Sequence, residues 1–122
     1  MDKNTVLSLS PDQRALASRE VALRSGGLKV VSVMNPIQAR FEIEMGRCGV
    51  FLICYRLSAT DAGDLTRLFR NYCPQGKIIF VTDLIGDERV PAEANVTVPE
   101  SSGPESILRA LGREPNVDAV AA

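Results

Sequence analysis

The chain of 122 residues contains no histidine. That absence removes whole reaction classes: no Ser-His-Asp or Cys-His nucleophile pair can form, and no imidazole is at hand as a general base near neutral pH. Cysteine is scarce. Cys48, Cys54 and Cys73 are odd in number and lack C-x-x-C spacing, and without histidine a zinc site would need an unusual ligand set, so no metal is expected. Reduced thiols in a cytoplasmic protein are the expectation. An excess of one charge sign is also missing: 14 basic side chains face 15 acidic ones, for a net charge of −1. Affinity for nucleic acid depends on neutralising phosphates, so this balance argues against a DNA- or RNA-binding module. No hydrophobic run approaches the roughly 20 residues that span a bilayer, so membrane insertion and secretion are not expected.

What is present reads as one globular domain. Apolar residues make up 45% of the sequence and charged residues 24%, enough for a core without disulfides or metal. Short β-rich runs alternate with longer helical patterns. Val6–Leu9 reads as a strand, residues 12–25 as a helix closed by Gly26-Gly27, and Lys29–Met34 as a second strand. Pro36–Gly46 follows as a helix with Ile37, Phe41 and Met45 on one face. Val50–Cys54 is continuously apolar, the mark of a strand covered on both sides. Leu65, Leu68, Phe69 and Tyr72 form a helix face; Lys77–Val81 and Asn95–Val98 read as strands; Pro104–Leu111 reads as the last helix. Ser10-Pro11-Asp12-Gln13 and Asn35-Pro36-Ile37-Gln38 are both spelled as capping boxes with proline at the first helical position.

Five strands alternating with helices predict a doubly wound α/β fold with a parallel sheet in the order 2-1-3-4-5, the flavodoxin-like winding, and a site at the carboxyl ends of the strands. Residues 1–111 are expected to form the domain and 112–122 a flexible tail. Residues 83–93 carry no amphipathic period and include Pro91, so the fourth helix of such a fold is expected to be short or lost.

Three junctions carry a resemblance. Phe51-Leu52-Ile53-Cys54-Tyr55-Arg56-Leu57-Ser58 with Ala59-Thr60-Asp61, Leu23–Val31, and Ile78–Thr82 resemble the third strand and loop, the first helix end with strand two, and strand four of the receiver domain of bacterial response regulators, the CheY-like family. The resemblance covers roughly residues 5–111. It implies phosphoryl transfer to an Asp, assisted by a divalent metal on an acidic pair, with a Lys before a cis-type Pro and a Ser/Thr reading the phosphate. Carried over, the acceptor position falls on Cys54, the acidic pair on Ser10 and Pro11 with Asp12 one step on, and the Lys on Val98; only Thr82 matches. The resemblance therefore implies a pseudo-receiver without metal or other cofactor.

Cys54 reads either as a reactive thiol or as a small buried hydrophobe at a strand end, and Arg56, two residues on, alternates to its face. Thr82 reads as a switch hydroxyl or a strand-end cap. Asp61 and Asp64 belong to the first turn of the third helix, where the dipole favours them. Arg14, Arg19 and Arg24 do not share one face and are expected to be solvated. The expected function is a non-catalytic signalling domain in a two-component system, working by phosphorylation-independent protein–protein interaction with a kinase, a regulator or itself. Loss of the fourth helix is expected to bare apolar surface at Leu84, Ile85 and Val90, with a homodimer as one outcome. The alternatives are a small-molecule or nucleotide binding module at the switch-point crevice, and a thiol-based redox sensor or enzyme at Cys54.

Overall fold

The computed structural model describes residues 2–83 and 89–113. β1 (Asp2–Leu9), α1 (Gln13–Ser25), β2 (Lys29–Val33), α2 (Pro36–Met45), β3 (Cys48–Cys54), α3 (Ala59–Tyr72), β4 (Lys77–Thr82) and β5 (Val96–Pro99) follow in turn. A 3₁₀ turn over Glu100–Ser102 leads to α4 (Glu105–Ala110). The five strands pair in parallel in the order β2-β1-β3-β4-β5, as the alternation of elements predicts. Among the described residues no helix is long and apolar enough to cross a membrane.

β3 sits at the centre, and all seven of its residues are buried. Its alternate residues feed two cores. Phe51 and Ile53, with Leu7, Leu9, Phe69, Ile78 and Phe80, lie under α2 and α3; Phe51 and Phe69 meet with ring centroids 5.4 Å apart. Val50, Leu52 and Cys54 join Val6, Leu23, Ile79, Val98, Ile107 and Leu108 under α1 and α4. The two-residue period of the strand thus decides which helix pair each side chain meets. Gly49 allows an unusually close approach: a Cβ there would stand 2.6 Å from the Lys3 Cα, where the β1–β3 register shifts.

Of the two proline-marked helix starts, one follows its spelling and one departs from it. In α2 Asn35 is the cap as expected, its Oδ1 accepting from the Gln38 N–H at 2.9 Å. In α1 the cap is Asp12, not Ser10, and Asp12 Oδ1 accepts from the N–H groups of Arg14 and Ala15. Ser10 Oγ instead accepts from the Asp12 N–H at 3.1 Å, so it fixes the turn before the helix.

The apolar face of α2 also differs from expectation. The helix packs through Ala39 and Ile43, while Ile37, Phe41 and Met45 are 82%, 59% and 52% exposed. Two small-to-medium residues suffice to seat a short helix on the sheet, which leaves the larger stripe outward.

Between β4 and β5 the described residues form no helix; residues 89–95 run as turns and bends. Arg70 holds this connection by donating to Asn95 Oδ1 at 2.7 Å and to the Glu93 carbonyl, and Asn95 Oδ1 accepts in turn from the Ile78 N–H. Leu84 and Ile85 lie outside the described residues, as does the tail from 114 onward. Val90 is half-buried and packs against the α2/α3-side core. At the end of the described chain, Arg113 donates to the Gly26 carbonyl and to Asn4 Oδ1.

Candidate functional site at the carboxyl ends of the strands

At the carboxyl edge of β1 and β3 the chain brings two small side chains together. Ser10 and Cys54 are both fully buried, and the Cys54 thiol lies 3.8 Å from Ser10 Oγ, within reach of a weak S–H···O bond. Two residues beyond the end of β3 stands Arg56. Its guanidinium makes a two-pronged contact with Glu100, Nη1 donating to Oε2 at 2.6 Å and Nη2 to Oε1 at 3.2 Å, and lies 3.4 Å from Asp12 Oδ2. Such fork-to-carboxylate pairing fixes direction as well as energy.

Glu100, the residue after β5, is the hub. It also accepts from Arg19 Nη2 at 3.0 Å and from the Tyr55 hydroxyl at 3.1 Å. The Arg56 guanidinium stacks on the Tyr55 ring, 4.7 Å from its centroid, and Arg89 approaches the same ring at 5.8 Å. The electrostatic consequences follow from these contacts. The Arg56 hydrogen bonds hold the Glu100 carboxyl below its ordinary value, against burial, and the same bonds push Arg56 up. Asp12 is lowered chiefly by the backbone N–H of Ala15. Burial, then the bond to Glu100, raises the Tyr55 phenol. At neutral pH both carboxylates are ionised and tied to arginine.

Beside this cluster lies a cavity of about 330 Å³ between α1 and the β5–α4 junction. Arg14, Ala15, Ser18 and Arg19 form its α1 wall; Val81, Val98, Pro99 and Ile107 form much of its apolar side. Arg14 and Arg19 therefore share a groove although five residues apart, because a helix lying along a cavity shows it both flanks. Arg19 is only 4% exposed, which corrects the expectation that it is solvated.

No protein-family model and no curated protein matches the chain. Solved structures do. A chemotaxis response regulator of Vibrio cholerae superposes with a TM-score of 0.79 at 14% identity, over 91% of this chain and 98% of that one. A CheY-like response regulator receiver domain protein from Methanospirillum hungatei gives 0.78 at 19% identity, over 91% and 92%. A response regulator of Burkholderia pseudomallei, with a phosphorylated aspartic acid, calcium and citrate, gives 0.76 at 18% over 98% and 71%. The fold is that of a receiver domain.

Within that receiver fold, Ser10, Asp12 and Cys54 come together as a connected set, through the Ser10–Cys54 and Ser10–Asp12 contacts. Pro11 is exposed beside them. Thr82 is buried at the end of β4 opposite Pro99, and Val98 opposite Val81 faces the cavity. The Val98–Pro99 peptide is trans, since the described residues contain no cis bond. No group of three or more metal-ligating side chains occurs among the described residues. Sequence reasoning missed Glu100 and Arg19. The signals existed: Glu100 follows a strand at the carboxyl edge of the sheet, and Arg19 stands three residues after Leu16 and four before Leu23, on the core-facing side of α1.

Proposed function

We propose that this chain is a cytoplasmic, receiver-like signalling domain that acts by binding another protein without phosphoryl transfer. The observation that carries the reading is the Ser10–Cys54 contact at the carboxyl edge of β1 and β3. A hard divalent cation takes oxygen ligands, and acyl-phosphate formation needs a carboxylate nucleophile; a thiol and a hydroxyl bonded to each other supply neither. The Burkholderia neighbour carries a phosphorylated aspartic acid, whereas Asp12 and Glu100, the acids of the ion-pair cluster at this edge, are committed to a helix cap and to arginines. A fixed ion-pair cluster would stand in for a switchable phosphate.

The outward apolar stripe of α2, Ile37, Phe41 and Met45, supports a protein partner, because monomers seldom leave a contiguous apolar face bare. Three buried, unpaired thiols support a reducing compartment. The deciding test is intact mass after incubation with Mg²⁺ and acetyl phosphate. The expected result is an unchanged mass; a stoichiometric, acid-stable, base-labile phosphoryl adduct overturns the reading.

A further inference from the structure

We propose that the cavity between α1 and the β5–α4 junction binds a small organic anion, its carboxylate or phosphate head held by Arg14 and Arg19 and its apolar body resting on Val81, Val98, Pro99 and Ile107. This goes beyond the signalling reading and does not depend on it. Four observations converge. First, Arg19 forms part of the cavity wall and is 4% exposed, yet its Nη1 has no hydrogen-bond partner among the described residues. A buried guanidinium N–H is seldom left unpaired; Nη1 is closed to solvent, so a small turn of the Arg19 side chain toward the cavity would bring it to an anionic oxygen, its natural complement. Second, the acids in the wall are already spent. Glu100 is divided among Arg56, Arg19 and Tyr55, and Asp12 caps α1 while facing Arg56.

Third, the charge count favours an anion: Arg14, Arg19 and Arg56 face Asp12 and Glu100, which leaves one net positive charge on the walls. Arg14 is exposed and forms no ion pair among the described residues, so its fork is available. A cation or a neutral body would leave that charge unanswered. Fourth, about 330 Å³ is within the range of small-ligand sites, and an apolar floor beside a few convergent polar groups is their usual make-up.

The test is an amide NMR titration of the full chain at constant ionic strength with inorganic phosphate, benzoate, phenyl phosphate and, as a neutral control, benzyl alcohol. Saturable shifts are expected at residues 14–19 and 103–107 with the anions and none with benzyl alcohol. Phenyl phosphate should bind about tenfold more tightly than inorganic phosphate, equivalent to about 1.4 kcal/mol, because its ring meets the apolar floor. Arg14 is exposed, so R14Q keeps the fold and should weaken phenyl phosphate at least about tenfold. Shifts that do not saturate, that scatter over the surface, that persist unchanged in R14Q, or that appear equally with benzyl alcohol overturn the proposal. Equal affinity for phosphate and phenyl phosphate removes the apolar half of the site and overturns it as stated.

Discussion

Neutralising Glu100 is the sharpest probe of the cluster. In E100Q the side-chain length is kept and the charge is lost, so Arg19, 4% exposed, keeps no carboxylate within ion-pair distance among the described residues. Breaking a buried ion pair by removing one partner costs roughly 3–5 kcal/mol. The Glu100 side chain is 34% exposed, so solvent screening brings the expectation down to about 2 kcal/mol. For a domain of this size that is a fall of about 8 °C in Tm. The pH dependence has a definite sign. The folded carboxyl is held below the ordinary glutamate value of 4.5. Its contribution is thus fully present above that value and is lost as pH falls through the lower folded value. Melts followed by circular dichroism at pH 7 and pH 3 should show a wide gap between wild type and E100Q at the first and a narrow one at the second. A gap under about 2 °C at pH 7, or one that stays undiminished at pH 3, would refute the assignment of Glu100 as hub.

Two further outcomes follow from the cysteines. C54D places a carboxylate in a fully buried position beside Ser10, costing several kcal/mol at pH 7 or forcing protonation. Because burial raises that carboxyl, the loss should be smallest in acid and grow as pH rises past the ordinary aspartate value; a pH-independent Tm gap between pH 4 and pH 8 would contradict it, as would an acetyl phosphate adduct. Burial, with Glu42 adding to it, pushes the Cys48 thiol up to about 11. At pH 8 only about one molecule in a thousand then holds the thiolate. Peptide mapping after disulfide-reagent treatment should find Cys48 unlabelled in the native protein and labelled in denaturant; fast native labelling would refute its burial.

The winding of the sheet was legible because it depends on short-range chemistry. Five apolar residues in a row from Val50 to Cys54 leave no polar face, so the strand must be covered on both sides, and alternating helices force parallel pairing. That a hydroxyl and a thiol stand at the ends of β1 and β3 was equally legible, since it is a matter of residue identity, whereas their contact was not. The Asp12 cap was missed by two positions because Ser10, Asp12 and their backbone offer competing local hydrogen bonds, and only the real turn geometry chooses. The outward face of α2 was decided by packing: an apolar stripe fixes the helix but not which of its faces the sheet takes, and here Ala39 and Ile43 fit closer than Phe41.

Glu100, Arg19 and Arg56 illustrate the remaining divide. Eighty-one residues separate Arg19 from Glu100 and forty-four separate Arg56 from it. No periodicity links positions so far apart; the link is made by the parallel winding that delivers α1, the β3 turn and the end of β5 to one edge. Local pattern determined each element and the chemistry at its own end. The tertiary structure decided which charges meet, because ion pairing depends on distance in space, and chain separation carries no information about that until the sheet is assembled.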